Sequence, residues 1–165
     1  MYISLMTIDD VEFVAELDRI CFPTPWSVSA YITETHNPAG FYIVAREDDK
    51  IVGFAGEWLV MDEAHITTIG VDQNYRRNKI GERMLICLLD EAIRKGARRV
   101  SLEVRRYNYA AQTLYKKYLF EQAAIRKNYY TNNNEDALVM WINDMQSPEF
   151  NEAFNRNRSS LEVHI

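Results

Sequence analysis

The sequence predicts a single α+β domain on a mixed sheet, with elements in the order β-α-α-β-β-β-α-β-α-β-β. Three observations predict it. Seven short runs are rich in alternating or β-branched apolar residues, four runs carry an apolar period of 3.6, and the two kinds interleave with no internal repeat or interior linker. At 165 residues the chain suits one domain with a real core.

"YISLM" (2–6) reads as a short strand. Thr7 and Asp10 have the spacing of a loose capping box. Val11, Val14 and Ala15 then mark a helix, which the prolines of "CFPTPWS" end. Ser27 caps a second short helix, "VSAYITET". "FYIVAR" (41–46) and "IVGFAGEWLVM" (51–61) are strands joined by the turn "EDDK", and "AHITTIGV" (64–71) is a third. Ile80, Met84, Leu85, Leu88, Leu89, Ala92 and Ile93 form the apolar face of a helix that ends at Lys95 and Gly96. "RRVSLEV" (98–104) is a strand, Asn108 caps "YAAQTLYKKY", and two strands (119–126 and 136–142) flank the polar loop "KNYYTNNNE". The domain is expected to span 1–142. Residues 143–165 are polar and are expected to form a loosely held tail.

The net charge is −5, which argues against a direct nucleic-acid binder. No run reaches the roughly 18 apolar residues of a membrane span. The start "MYISLMTIDD" lacks a basic region before an apolar stretch, so no signal peptide is expected. Two isolated cysteines, Cys21 and Cys87, suggest no disulfide framework, and the expected location is cytoplasmic. A cysteine nucleophile would need Cys21 or Cys87 to meet His36, His65 or His164, and no surrounding pattern marks such a pair. Metal-ligand spacing is absent, so no metal site is expected.

Chemistry concentrates in "IGVDQNYRRNKIGERML" (69–85), where a strand passes through a cationic turn into a helix. The first four N–H groups of a helix lack intrahelical partners and, with the helix dipole, form an anion site. Arg76, Arg77 and Lys79 raise the local potential and Gly81 leaves the backbone open, so "RRNKIGE" can cradle a diphosphate. The alternative is an ordinary solvated helix start. Neither the P-loop pattern nor the dinucleotide fingerprint is present.

This turn resembles the coenzyme A pyrophosphate loop of the GNAT N-acetyltransferases, Q/R-x-x-G-x-G/A, through Arg76, Lys79 and Gly81. Lys79 stands where the first glycine would be. A lysine forced to positive φ costs about 1 kcal/mol or more. The family-like flank "VDQNYRR" favours the other case, in which Lys79 keeps an ordinary backbone and adds charge. "LEVRRYNYAAQTLYKKYLF" (102–120) resembles one branch, the RimI type, which acetylates the N-terminal alanine of ribosomal protein S18. Glu103, Asn108, Ala111, Leu114, Tyr115 and Phe120 match its pattern, while Leu119 replaces a glycine. "PWS" (25–27) and "YY…EDALVMW" (129–141) add to the likeness, which covers about 1–142.

The resemblance implies a GNAT-like fold, with a mostly antiparallel seven-stranded sheet and about four helices. It implies acetyl-CoA as co-substrate, held by Ile69, Gly70, Val71, Arg76, Arg77, Asn78, Lys79, Ile80, Gly81, Glu82 and Asn108. Glu103 would be the general base, through water, and Tyr115 the general acid toward the coenzyme A sulfur. A carboxylate among apolar neighbours can act as a base near neutral pH if burial raises its pKa. Each residue also has a plainer reading: Glu103 as an exposed carboxylate paired with Arg105, Tyr115 as core, Asn108 as a cap only. Trp26, Tyr129 and Tyr130 would wall the acceptor groove, or else pack on the sheet. The implied partner is a protein N-terminal peptide, that of ribosomal protein S18, with no membrane and no nucleic acid. Two rivals stay open: a GNAT enzyme for other N-termini, lysines or a small amine, and a non-catalytic acyl-CoA-binding module.

Overall fold

The computed structural model describes residues 1–161; His164 lies outside the described residues. Seven strands form one sheet in the spatial order β1-β2-β3-β4-β5-β7-β6. They are β1 (Tyr2–Leu5), β2 (Gly40–Glu47), β3 (Lys50–Val60), β4 (Glu63–Val71), β5 (Arg99–Arg105), β6 (Glu121–Tyr130) and β7 (Glu135–Ile142). Five helices accompany them: α1 (Val11–Cys21), α2 (Val28–Thr35), α3 (Ile80–Arg94), α4 (Tyr109–Lys117) and α5 (Pro148–Ser159). The predicted α+β class and element order hold, with one helix more than expected. No described helix is long and apolar enough to cross a membrane.

Local chemistry explains the elements. The β2–β3 hairpin turns on Asp48 and Asp49, both at positive φ, as a two-residue hairpin loop demands. Ser27 caps α2 by accepting the Ala30 N–H, and Asn108 caps α4 by accepting the Ala111 N–H. At the end of α3, Gly96 takes φ 79° while its N–H and that of Ala97 bond back to Ile93 and Ala92.

One sheet face packs on α3 and α5, around Met84, Leu85, Leu88, Leu102, Phe120, Met140 and Phe150. The other packs on α1 and α2, around Val14, Leu17, Tyr31, Tyr42 and Phe54. The stretch after Ile142 corrects the expectation of a loosely held tail. Phe150, Phe154 and Leu161 are buried in the α3-side core, and Asn157 donates to the Lys117 carbonyl at 2.9 Å. Its polar composition hides a narrow apolar stripe at helical spacing.

The β4–β5 pair is the parallel one, and it is short. Its ladder runs from Glu63–Arg99 to Ile66–Leu102 and stops. Beyond it β4 stays paired to β3 as far as Val71, and β5 to β7 as far as Arg105. The two halves of the sheet therefore part after Ile66 and Leu102, leaving Thr67–Val71 unpaired on the β5 side.

Candidate active site

The parting organises the site. Ile69, Gly70 and Val71 lie on the stretch of β4 that faces no strand on the β5 side, where an added strand could pair; the Val71 carbonyl there accepts from Arg76 and Cys21. Gly70 is required by packing, because a Cβ there would meet the Phe54 ring. The turn from β4 into α3 follows directly.

In that turn Lys79 has φ 60° and ψ 16°, and Arg77 has φ 70°. The expectation that Lys79 keeps an ordinary backbone is therefore wrong: it stands in the left-handed region that glycine occupies at low cost, at a strain of about 1–2 kcal/mol. The backbone geometry a glycine would give is kept without the glycine, and Lys79 precedes the N-terminus of α3. The Arg83 N–H bonds to the Lys79 carbonyl, so those of Ile80, Gly81 and Glu82 are the ones without helical partners. A Cβ on Gly81 would touch only Val71, at 3.6 Å, which leaves open space between the helix start and the strand end. Unpaired amides, two exposed cations and that opening fit a pyrophosphate.

The predicted contacts in this turn are not equal. The Arg77 and Lys79 side chains are exposed. Arg76 folds back, its Nε donating to the Val71 carbonyl at 3.2 Å, and Asn78 Nδ2 donates to the Tyr75 carbonyl. The Glu82 side chain faces away. It pairs with Lys117, accepts from the Tyr118 hydroxyl at 2.8 Å, and is held below the usual carboxylate range by those partners despite partial burial. Glu82 ties α3 to α4 and has only its backbone N–H to offer an anion.

On β5, Leu102 and Val104 enter the core while Glu103 emerges on the opposite face, one residue past the parting. Its Oε2 lies 3.0 Å from His65 Nε2 and its Oε1 3.4 Å from Arg126. Arg105 is not its partner. That guanidinium binds Glu135 at 3.0 Å and covers the Tyr130 ring at 3.8 Å. Burial does not raise the Glu103 pKa: the hydrogen bond from His65 lowers it first and, with the nearby charge of Arg126, outweighs burial. Glu103 is thus held as a carboxylate.

Tyr115 is placed by the end of α4. The Leu119 N–H bonds to the Lys116 carbonyl, the Phe120 N–H to the Tyr115 carbonyl, and the Phe120 ring packs on Tyr115 at 5.6 Å. This is a Schellman ending, and Leu119 occupies its left-handed position at φ 64°. Burial, then the nearby Tyr130, pushes the Tyr115 phenol well above its ordinary value, so it stays protonated at neutral pH.

Tyr130 interacts electrostatically with both predicted catalytic groups. Its own hydroxyl is pushed up to about 12, chiefly by burial. Tyr129 meets Tyr130 edge-on at 5.2 Å and lies beneath Arg126 at 5.5 Å. Both tyrosines belong to the end of β6 and not to a free loop, which shortens the predicted connection. Asn108 spends its side-chain oxygen on the Ala111 N–H, leaving its amide N–H₂. Trp26 packs on Tyr31 at 5.4 Å and Tyr42 at 6.4 Å beside the α1–α2 core, and the Tyr42 hydroxyl lies 2.9 Å from the Thr67 hydroxyl on the unpaired stretch of β4.

His65 was considered in the sequence only as a nucleophile's partner. Here it bridges Glu103 and Ser101, with Nδ1 2.8 Å from the Ser101 hydroxyl. Nothing in the sequence pairs residue 65 with 101 and 103, because that requires the β4–β5 register.

This fold and site define an acetyltransferase. The model of the Acetyltransferase (GNAT) family matches residues 11–119, and the chain belongs to that family. It is an acetyl-CoA-dependent N-acetyltransferase. It is 41% identical over 138 residues to a Bacillus subtilis (strain 168) protein provisionally named [ribosomal protein bS18]-alanine N-acetyltransferase, covering 83% of this chain and 91% of that one. It is 33% identical over 142 residues to the Escherichia coli (strain K12) [ribosomal protein bS18]-alanine N-acetyltransferase, covering 84% and 94%. The crystal structure of the E. coli ribosomal-protein-S18-alanine N-acetyltransferase superposes with a TM-score of 0.80 at 31% identity, over 88% of this chain and 96% of that one.

Proposed function

We propose that the chain transfers acetyl from acetyl-CoA to the α-amine of a protein N-terminus, and that the acceptor is the N-terminal alanine of ribosomal protein bS18. The observation that carries the transfer chemistry is the parting of β4 and β5. The cationic turn continues one arm, Glu103 lies on the other, and Tyr130 interacts with both Glu103 and Tyr115. The names of the relatives support the acceptor, and an acidic chain suits a basic N-terminal segment.

The amides of Ile80–Glu82, with Arg77 and Lys79, would hold the pyrophosphate. The free edge of Thr67–Val71 would pair with the amide-bearing arm. The acceptor nitrogen forms a bond to the thioester carbon as the carbon–sulfur bond breaks. An α-amine has an ordinary pKa of about 7.7–8.0, so a sizeable fraction is already neutral near that pH; the Glu103 carboxylate accepts its proton through water as the N–C bond forms and the nitrogen becomes acidic. The protonated Tyr115 phenol donates to the departing sulfur.

Mass spectrometry tests the acceptor. The protein is incubated with acetyl-CoA and the bS18 N-terminal peptide, beside other N-termini, a lysine peptide and small polyamines. Acetyl confined to the bS18 α-amine supports the assignment; a preferred acceptor elsewhere in the panel refutes it. Glu103→Gln and Tyr115→Phe should each lower turnover about 10²- to 10⁴-fold with acetyl-CoA binding largely kept. Wild-type rates in both would overturn the roles.

A further inference from the structure

Glu103 does not act alone in this geometry. An ionised carboxylate only accepts hydrogen bonds, so at 3.0 Å His65 Nε2 must carry the hydrogen. That fixes the tautomer of the neutral ring: Nδ1 then accepts from the Ser101 hydroxyl at 2.8 Å. Ser101 and Glu103 sit two apart on β5 and point to the same face, and His65 is held against both from β4, where it pairs with Ser101. The ring is fixed at both nitrogens, yet it is about a third exposed. A cavity of about 410 Å³ lined by Trp58, Met61, Asp62, Glu63, His65 and Ser101 opens beside the ring.

We propose that His65 is the positioning residue of the acetyl transfer and gates Glu103 by its own charge: the carboxylate receives the acceptor's proton only while the imidazole is neutral. This rests on the reading of Glu103 as the base. With neutral His65 the pair carries one negative charge, and the carboxylate is aimed by the Nε2–H yet free to take a proton. A second proton, taken up at Nδ1, turns Ser101 from donor to acceptor and makes the ring a cation 3.0 Å from Glu103. The pair is then neutral overall, and the carboxylate, already compensated, gives up most of its attraction for the acceptor's proton.

Asp62 and Glu63 line the cavity beside the pair, with Glu63 3.6 Å from Arg99. Arg126 from β6 lies 3.4 Å from Glu103, and the Tyr130 hydroxyl acts on it from the end of the same strand. Tyr115 from α4 interacts with Tyr130. Arg105 is occupied by Glu135, and Glu34 from α2 by the indole N–H of Trp58, whose ring lies 6.4 Å from His65. The two tyrosines, both raised chiefly by burial, keep their protons at neutral pH.

The test is the pH profile of kcat/KM for N-terminal peptide acetylation, from pH 5.5 to 9. Wild type is compared with His65→Gln, His65→Ala and Glu103→Gln, with acetyl-CoA affinity and thermal melting measured on each. Glutamine keeps an N–H donor toward Glu103 and does not titrate. His65→Gln should stay within about threefold of wild type at pH 9 but lose less activity on acidification, the two profiles separating by at least threefold at pH 6. His65→Ala should fall at least tenfold at every pH with unchanged acetyl-CoA affinity. The acceptor's own amine titrates identically in all variants, so the difference between profiles is the readout. A His65→Gln profile parallel to wild type, or a fully active His65→Ala, overturns the gate. Should Glu103→Gln retain wild-type rates, the base reading falls and the gate with it. If Glu103→Gln is inactive while His65→Gln parallels wild type, the gate alone falls.

Discussion

Glu57 supplies a prediction that separates folding from catalysis. It lies in β3 opposite Ile66, is fully buried on the α3 face, and has no hydrogen-bond partner for either carboxylate oxygen. Burial, and secondarily the charge of Glu91, pushes its pKa well above the carboxylate range. The folded protein therefore keeps a proton on Glu57 that the unfolded chain releases above about pH 4.3. The folded pKa is the higher one, so stability is full below the unfolded value and falls as pH rises toward the folded value. One proton of difference gives a slope of about 1.4 kcal/mol per pH unit in that window. For a domain of this size that is roughly 3 to 5 °C of melting temperature per unit. Melts of wild type, Glu57→Gln and Glu57→Leu at pH 5, 6, 7 and 8 check it. Both variants should gain on wild type with every step upward, the leucine from a higher start because it leaves no buried polar group unpaired. Parallel curves for wild type and Glu57→Gln over the whole range would show that Glu57 ionises equally in both states, and the reasoning would be refuted.

Lys79→Gly removes about 1–2 kcal/mol of left-handed strain against about 0.4–1 kcal/mol of added unfolded-chain entropy. It should melt no lower than wild type while binding acetyl-CoA more weakly at low salt. That deficit should vanish near 1 M salt, where charges are screened within about 3 Å; titration calorimetry at two ionic strengths reads it. Phe154→Ala empties part of the α5 contact with Phe150 and Tyr118 and should cost about 3–5 kcal/mol. A denaturant melt showing under 1 kcal/mol would mean that α5 contributes little to the fold.

The strands and the first four helices were legible because their signals are local. Alternation, caps and the Lys95–Gly96 ending each lie within a few residues of the feature they specify. Helix α5 was missed because Phe150, Ala153, Phe154, Asn157 and Leu161 make a stripe only one side chain wide among polar residues. Its partners, such as Lys117, are far away in the chain. The site shows the same division. The cationic turn and the Glu103–Tyr115 spacing are local patterns, and the sequence displays them. The state of Glu103 depends on His65 and Arg126, each more than twenty residues away and brought near by strand register. Burial alone pointed to a raised pKa, and the missing partners reversed the sign.

Lys79 and Leu119 argue a further point about what a motif specifies. Both replace a glycine of the pattern, and both keep the left-handed backbone a glycine would adopt. At Leu119 the strain is offset locally: the Schellman bonds hold the turn, Phe120 packs on Tyr115, and the leucine side chain itself packs on the core. At Lys79 no such packing exists, since the side chain is exposed. Its charge instead acts on the Glu82 carboxylate, and an anion bound at the unpaired helix amides would add to that attraction. The pattern therefore encodes a backbone conformation more than a residue. A site can survive the loss of its signature glycines wherever packing or ligand charge offsets about 1–2 kcal/mol, which is why those substitutions do not by themselves favour a non-catalytic module.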